Sequence, residues 1–240
     1  MPKSGTYSFE VIGSGTDFTG HENELSGARI KGKFRFEQGE KITVALGQRC
    51  EGKYPSGSGA TFVVKVTGHR KEALFVAAGA GNAQTDFDYG RASLAQTANG
   101  NENIGSSGIQ EFQDGEKEDF FCAGGGFLEA TKVGKLHDLS EPPQSFSQGL
   151  IGGRGYIYDF EDLCSLEGGF GGGGASFHRL LDGDWKYHYG CRGGYTGGSS
   201  RIHNDKICDG GGGGSFSADP TATFDHKFEL YGKCKIKFLN

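Results

Sequence analysis

The chain has 240 residues, 45 of them glycine and only 5 proline, with a net charge of −5. Glycine at nearly three times its usual share of about 7% is unusual, but it follows no strict period of three, so the chain is not a collagen. No apolar run approaches the ~18 residues that cross a bilayer as a helix, and no Lys/Arg block supplies the basic footprint of a nucleic-acid binder; neither membrane insertion nor nucleic acid is expected.

Residues 1–78 read as strands. Tyr7, Phe9 and Val11 alternate with Ser8 and Glu10, the period-two pattern of a half-buried strand. Apolar and basic residues alternate through Lys33–Phe36, a turn follows at Glu37–Glu40, and Ile42, Val44 and Leu46 alternate again. TFVVKV (61–66) and ALFVAA (73–78) are short apolar runs bounded by glycine. Strands at this spacing suggest a β-sandwich or barrel.

Residues 79–214 differ. Glycine clusters at 79–81, 124–126, 152–155, 168–174, 193–198 and 210–214, with Phe, Tyr, Ile and Cys interleaved. Flexible linkers are Ser-rich and separate domains. Interleaved aromatics point instead to packing in polyglycine II helices, three residues per turn, whose bare backbones approach closely and bond one another. Mobile loops are the alternative. Arg91–Ala98 and Asp159–Leu166 read as short helices, and 86–115 as an exposed polar loop. Residues 215–240 return to strand pattern. Cys234, Ile236 and Phe238 alternate with Lys233, Lys235 and Lys237, a basic face that would protect a sheet edge. The glycine-rich stretch is thus expected as an insertion in one β unit.

Six cysteines, Cys50, Cys122, Cys164, Cys191, Cys208 and Cys234, are well spread and contain no CxxC. That disfavours a zinc ribbon or redox pair and favours three disulfides, with connectivity open among 15 possibilities. A Cys164–Cys191 bridge would close a loop around the aromatic segment. No apolar signal segment opens the chain, so the expectation is a cytosolic protein or a mature ectodomain.

Enzymatic motifs are weak. Gly169–Gly174 fits GxGxxG inside a glycine run, without a following helix. Gly47–Lys53 fits GxxxxGK, but Tyr54 stands where Ser or Thr must reach Mg²⁺. No HExxH or GxSxG occurs, the histidines are scattered, and the acidic clusters at 159–162 and 182–184 lack EF-hand order. No enzyme, cofactor or metal is expected.

Binding residues are better marked. FHRLLDGDWKYHYGCR (177–192) holds Trp185, the only Trp, with Arg179, Tyr187, Tyr189 and Arg192. Trp, Tyr and Arg dominate binding hot spots, and flanking glycine runs could hold them rigidly. Trp185 as a plug in a glycine-lined core is the competing reading.

The ordered segments GARIKGKFRFEQGEKITVALGQ, SGSGATFVVKV, ALFVAAGAG, EGGFGGGG, GGYTGG, GGGGGSF and GKCKIKFLN together give a resemblance. From about residue 5 to the last, the chain resembles the extracellular glycine-rich region of the anaplastic lymphoma kinase and leukocyte tyrosine kinase receptors, or a stand-alone invertebrate relative. The resemblance implies a tumour-necrosis-factor-like β-sandwich with an inserted polyglycine II bundle. It implies an extracellular, non-enzymatic module that binds a protein ligand. Two departures stand out. Residues 175–189 interrupt the glycine runs, and Lys233 occupies a position that is acidic in the receptors and touches basic cytokines there. Glu229 and Lys233 therefore join the candidate contact residues. A self-assembling matrix or adhesive protein, and a glycan-binding adhesin, are the alternative functions.

Overall fold

The computed structural model describes residues 1–16, 25–49, 56–81, 86–108, 123–129, 141–154, 167–181, 184–204 and 207–240; for Phe87 and the strand residues within 177–188 and 202–208, the backbone alone is described. The chain is mainly β. Strands β1 (Gly5–Ile12), β2 (Gly27–Phe36), β3 (Lys41–Ala45), β4 (Thr61–Thr67) and β5 (Arg70–Ala77) precede a four-residue helix α1 (Phe87–Gly90). Next come β6 (Phe177–Leu181), β7 (Asp184–His188), β8 (Ser200–Asn204) and β9 (Ile207–Gly210), and then β10 (Phe216–Ser217), β11 (Thr223–Lys227) and β12 (Lys233–Phe238).

The first sheet runs β11-β2-β1-β12 and the second β10-β5-β4-β3, each antiparallel throughout. Strands from both ends of the sequence thus share each sheet. The inward alternation Tyr7, Phe9, Val11 from β1 meets Val63, Leu74 and Phe75 from β4 and β5 in one core, with the Phe9 and Phe75 rings 5.0 Å apart. Two sheets facing across a shared core are compatible with a β-sandwich.

The second sheet is covered on its other face too. Phe62, Val64 and Val76 pack there against Phe127, Phe146, Leu150, Tyr195 and Phe216. Ordinary alternation along β4 sends Val63 to the first core and Phe62 and Val64 to the second, while the register slip opposite Val63 and Val64 leaves an extra residue on β5 and puts its neighbours Leu74 and Phe75 both in the first core. Burial on both faces is why β4 reads as a continuous apolar run rather than an alternation. A ladder of rings, Phe146–Phe127–Tyr195–Phe216, spaced 4.9, 5.6 and 4.4 Å, ties the glycine-rich stretch to this face.

The glycine segments lie side by side at backbone distance. Gly57 N–H donates to Gly174 O (2.8 Å), Gly125 to Gly172 (2.8 Å), Gly124 to Gly198 (2.9 Å) and Gly79 to Gly193 (3.2 Å). A Cβ on Gly59 would sit 1.7 Å from Phe170 O, so no other residue fits. A third sheet, β6-β7-β9-β8, is set among these segments and joins β7 to β9 in parallel.

Two local expectations are corrected. Arg91–Ala98 is not a helix but a series of bends; the only helical turn among the described residues is α1, just before it. Residues 86–108 are not an exposed loop. Asn99 Nδ2 donates to Tyr89 O (2.6 Å) and Arg91 O (3.0 Å), and the Asn99 N–H reaches Gly212 O (3.1 Å). Buried Asn101 donates to Gly197 O at 2.9 Å, and Ala92 and Ala98 are buried. The Asn99 and Asn101 side chains thus bond backbone carbonyls here, Asn101 that of a glycine in the 193–198 run. Asp159–Leu166 and residues 109–115 lie outside the described residues.

Candidate binding surface

The segment around Trp185 folds as a hairpin. β6 and β7 pair antiparallel, setting Arg179 opposite Lys186, Leu180 opposite Trp185 and His178 opposite Tyr187. β7 continues in parallel beside β9, with Tyr187 opposite Ile207 and His188 opposite Cys208. Arg179, Trp185 and Tyr187 are placed by backbone only. The end of the segment corrects the expectation: Tyr189 is 6% exposed and Arg192 fully buried, so neither offers a partner its side chain.

Arg192 lies where the glycine segments meet the sheets. Its Nη1 donates to Ser58 Oγ at 2.7 Å, and Ser58 Oγ donates to Ser14 O at 2.8 Å. Nε and Nη2 find no acceptor among the described residues. Burial pushes the guanidinium well below its ordinary value, opposed by neighbouring Cys191.

The disulfide expectation is corrected at Cys234. Its thiol is free, partly buried against the first core, and burial pushes it up to about 11. No disulfide is formed among the described residues. Cys191 is fully buried. Cys50, Cys122, Cys164 and the Cys208 side chain lie outside the described residues, and the Cys164–Cys191 link with them.

Glu229 and Lys233 are brought together. The Lys233 ammonium bonds the Glu229 carboxylate, and Lys227 Nζ reaches the same carboxylate at 3.2 Å. Lys233 holds Glu229 below the usual carboxylate range, against the small desolvation of a half-buried side chain.

The register of the first sheet reveals a surface that reading segment by segment missed. β1 lies between β2 and β12, and its outward residues Ser8 and Glu10 stand between two basic rows. On one side are Arg29, Lys31, Lys33 and Arg35 of β2; on the other are Lys233, Lys235 and Lys237 of β12. Glu10 accepts from Lys235 Nζ at 2.9 Å and lies 3.7 Å from Arg29, while Arg29 also forks onto Asp225. Lys31, Lys33 and Lys237 are exposed and their ammonium groups form no ion pair among the described residues, although the Lys33 N–H donates to the Asp219 carboxylate at 2.7 Å. A cavity of about 550 Å³ opens between them over Ser8. The signal was present in KGKFRF and GKCKIKF, whose basic residues alternate; what sequence alone could not show is that both strands flank β1 and face the same way.

Among the described residues no group of His, Cys, Asp and Glu could hold a metal ion, and no helix is long and apolar enough to cross a membrane. No protein-family model matches the chain, and no curated protein matches its sequence.

Proposed function

We propose that this chain is a non-enzymatic extracellular recognition module that binds a protein ligand, as the resemblance to the glycine-rich receptor region implies. The observation that carries the reading is the lattice of glycine backbones. Gly57, Gly124, Gly125 and Gly79 each bond a glycine of another segment, and most lattice glycines have no room for a Cβ. Such contacts support a polyglycine II bundle inserted in a tumour-necrosis-factor-like β-sandwich, with 1–78 and 215–240 as the sandwich and 79–214 as the insertion. A fixed lattice holds the hairpin and the basic sheet face in place before binding, which lowers the ordering cost of association. Lys233 in place of an acidic residue argues for a ligand unlike the basic cytokines of the receptors.

The test is a binding screen of the intact chain against secreted proteins, read by interferometry, beside sedimentation of the chain alone and a glycan array. Saturable binding to one protein by a monomeric chain is expected. Self-association that rises with concentration and needs no partner would replace this reading with a structural matrix protein. A glycan-array signal without a protein ligand would replace it with an adhesin.

A further inference from the structure

We propose that the free edge of β12 is a strand-addition site for an extended acidic segment of a partner protein, one alternating carboxylate with apolar side chains. This rests on the recognition reading and names the partner's chemistry. Among the described residues β12 pairs only with β1, and no strand lies along its other edge. The hydrogen-bond phase is fixed by the flanking residues: Leu239 N–H donates to Thr6 O, and the Ser8 hydroxyl reaches Lys237 O. Alternation then turns the N–H and C=O of Lys233, Lys235 and Lys237 toward β1, and those of Cys234, Ile236 and Phe238 outward. None of these outward groups has a partner among the described residues. One residue earlier, the Gly232 N–H on that same side bonds Gly47 O at 2.7 Å, so a backbone is already accepted there.

The side chains define what could be added. Lys233, Lys235 and Lys237 line the outer face, Lys237 without an ion pair among the described residues and Lys233 and Lys235 already shared with Glu229 and Glu10, and Lys31 and Lys33 lie two strands away. Ile236 and Phe238, on the inner face, are 41% and 39% exposed, high for large apolar groups on the core side. An added strand would set its alternate residues directly beside these, carboxylates against the lysines and apolar groups against Ile236 and Phe238. A second copy pairing antiparallel through the same edge would place lysine against lysine, which is unfavourable. A linear polyanion would satisfy the lysines but leave the backbone groups and both apolar side chains unused.

The probe is a synthetic peptide alternating glutamate with valine over the six-residue length of β12. It should bind saturably to the intact chain and slow hydrogen exchange at the amides of Cys234, Ile236 and Phe238. N-methylation of its pairing amides should weaken it roughly tenfold or more, the scale of losing several ladder hydrogen bonds. The combined Lys233→Glu, Lys235→Glu and Lys237→Glu variant should prefer a lysine–valine peptide. Should that variant fail to fold, the N-methylated peptide on the unaltered chain still decides. Equal binding of scrambled or N-methylated acidic peptide, sulfated polysaccharide displacing the probe without those amides changing, or no binding would overturn the proposal. A protein ligand whose binding survives the triple variant would overturn the edge site while leaving the recognition reading standing. Peptide addition at β12 with no protein ligand in the screen would do the reverse.

Discussion

Arg192 donates to Ser58 Oγ at 2.7 Å from a position wholly out of solvent. No carboxylate faces this guanidinium among the described residues, and Ser58 is its one described acceptor. Replacing a buried charge by an apolar group of similar volume is often neutral or stabilising, by about 1–4 kcal/mol, whereas stripping its partner leaves it bare. Arg192→Met is therefore expected to hold or raise stability, and Ser58→Ala to cost about 1–3 kcal/mol. Urea midpoints at unchanged slope measure both. A Met variant several kcal/mol less stable, beside a silent Ala variant, would mean that the charge is compensated by another group.

The same residue shows where sequence reading stops. Tyr7, Phe9 and Val11 were legible because one face of β1 is buried and the other is not, which writes an alternation into the sequence. The glycine clusters were legible as packed backbone because aromatics interrupt them, and Phe127 and Tyr195 indeed stack in the second core. Arg192 and Tyr189 share the composition of a binding hot spot, yet their orientation depends on which glycine segment lies alongside, a long-range fact. Asn99 and Asn101 read as loop polarity because a side chain that bonds a distant backbone carries no local signature. The two basic rows of the first sheet were visible as alternations; that they share a face follows from β1 lying between strands more than 190 residues apart in the chain.

The glycine lattice gives a graded test. A Cβ on Gly57 would meet Cys191 O at 1.9 Å and Gly174 O at 2.6 Å, and both are backbone atoms with no rotamer to yield. Gly57→Ala should cost at least the 1–3 kcal/mol typical of overpacking, roughly the upper end or beyond. Gly68, in the turn between β4 and β5, has φ +60° and nothing within 4 Å of a Cβ. Gly68→Ala should cost only about 1–2 kcal/mol, from the left-handed backbone alone. Thermal melting compares them directly, and equal losses would contradict a close-packed lattice at Gly57.

Acid should erode stability through the ion pairs of the first sheet. Lys235 holds Glu10 below its ordinary 4.5, Lys233 does the same for Glu229, and Arg29 holds Asp225 below 3.8. Because the folded values lie below the unfolded ones, this stabilisation is present above about pH 4.5 and is lost as pH falls through the folded values. The pairs are partly exposed, so each contributes only about 0.2–1 kcal/mol after screening. Denaturation midpoints should fall below pH 4.5, less steeply in Glu10→Gln and in high salt. An unchanged slope in that variant would show that the Glu10–Lys235 pair does not persist in solution.

Cys234 offers a final check, on both its burial and its lack of a partner. Its thiol packs against the first core, and burial raises it from 9.0 to about 11. The raised value favours the neutral thiol, so its contribution to stability is present below pH 9.0 and is lost as pH rises through about 11. At pH 8 the thiolate, the reactive form, should be about 100-fold scarcer than in the unfolded chain. Native alkylation, followed at the peptide carrying Cys234, should therefore run about 100-fold slower than in urea. Labelling at the unfolded rate would place the thiol at the surface. A peptide that stays unlabelled in urea until reduced would reveal a disulfide and return Cys234 to the set of bridged cysteines.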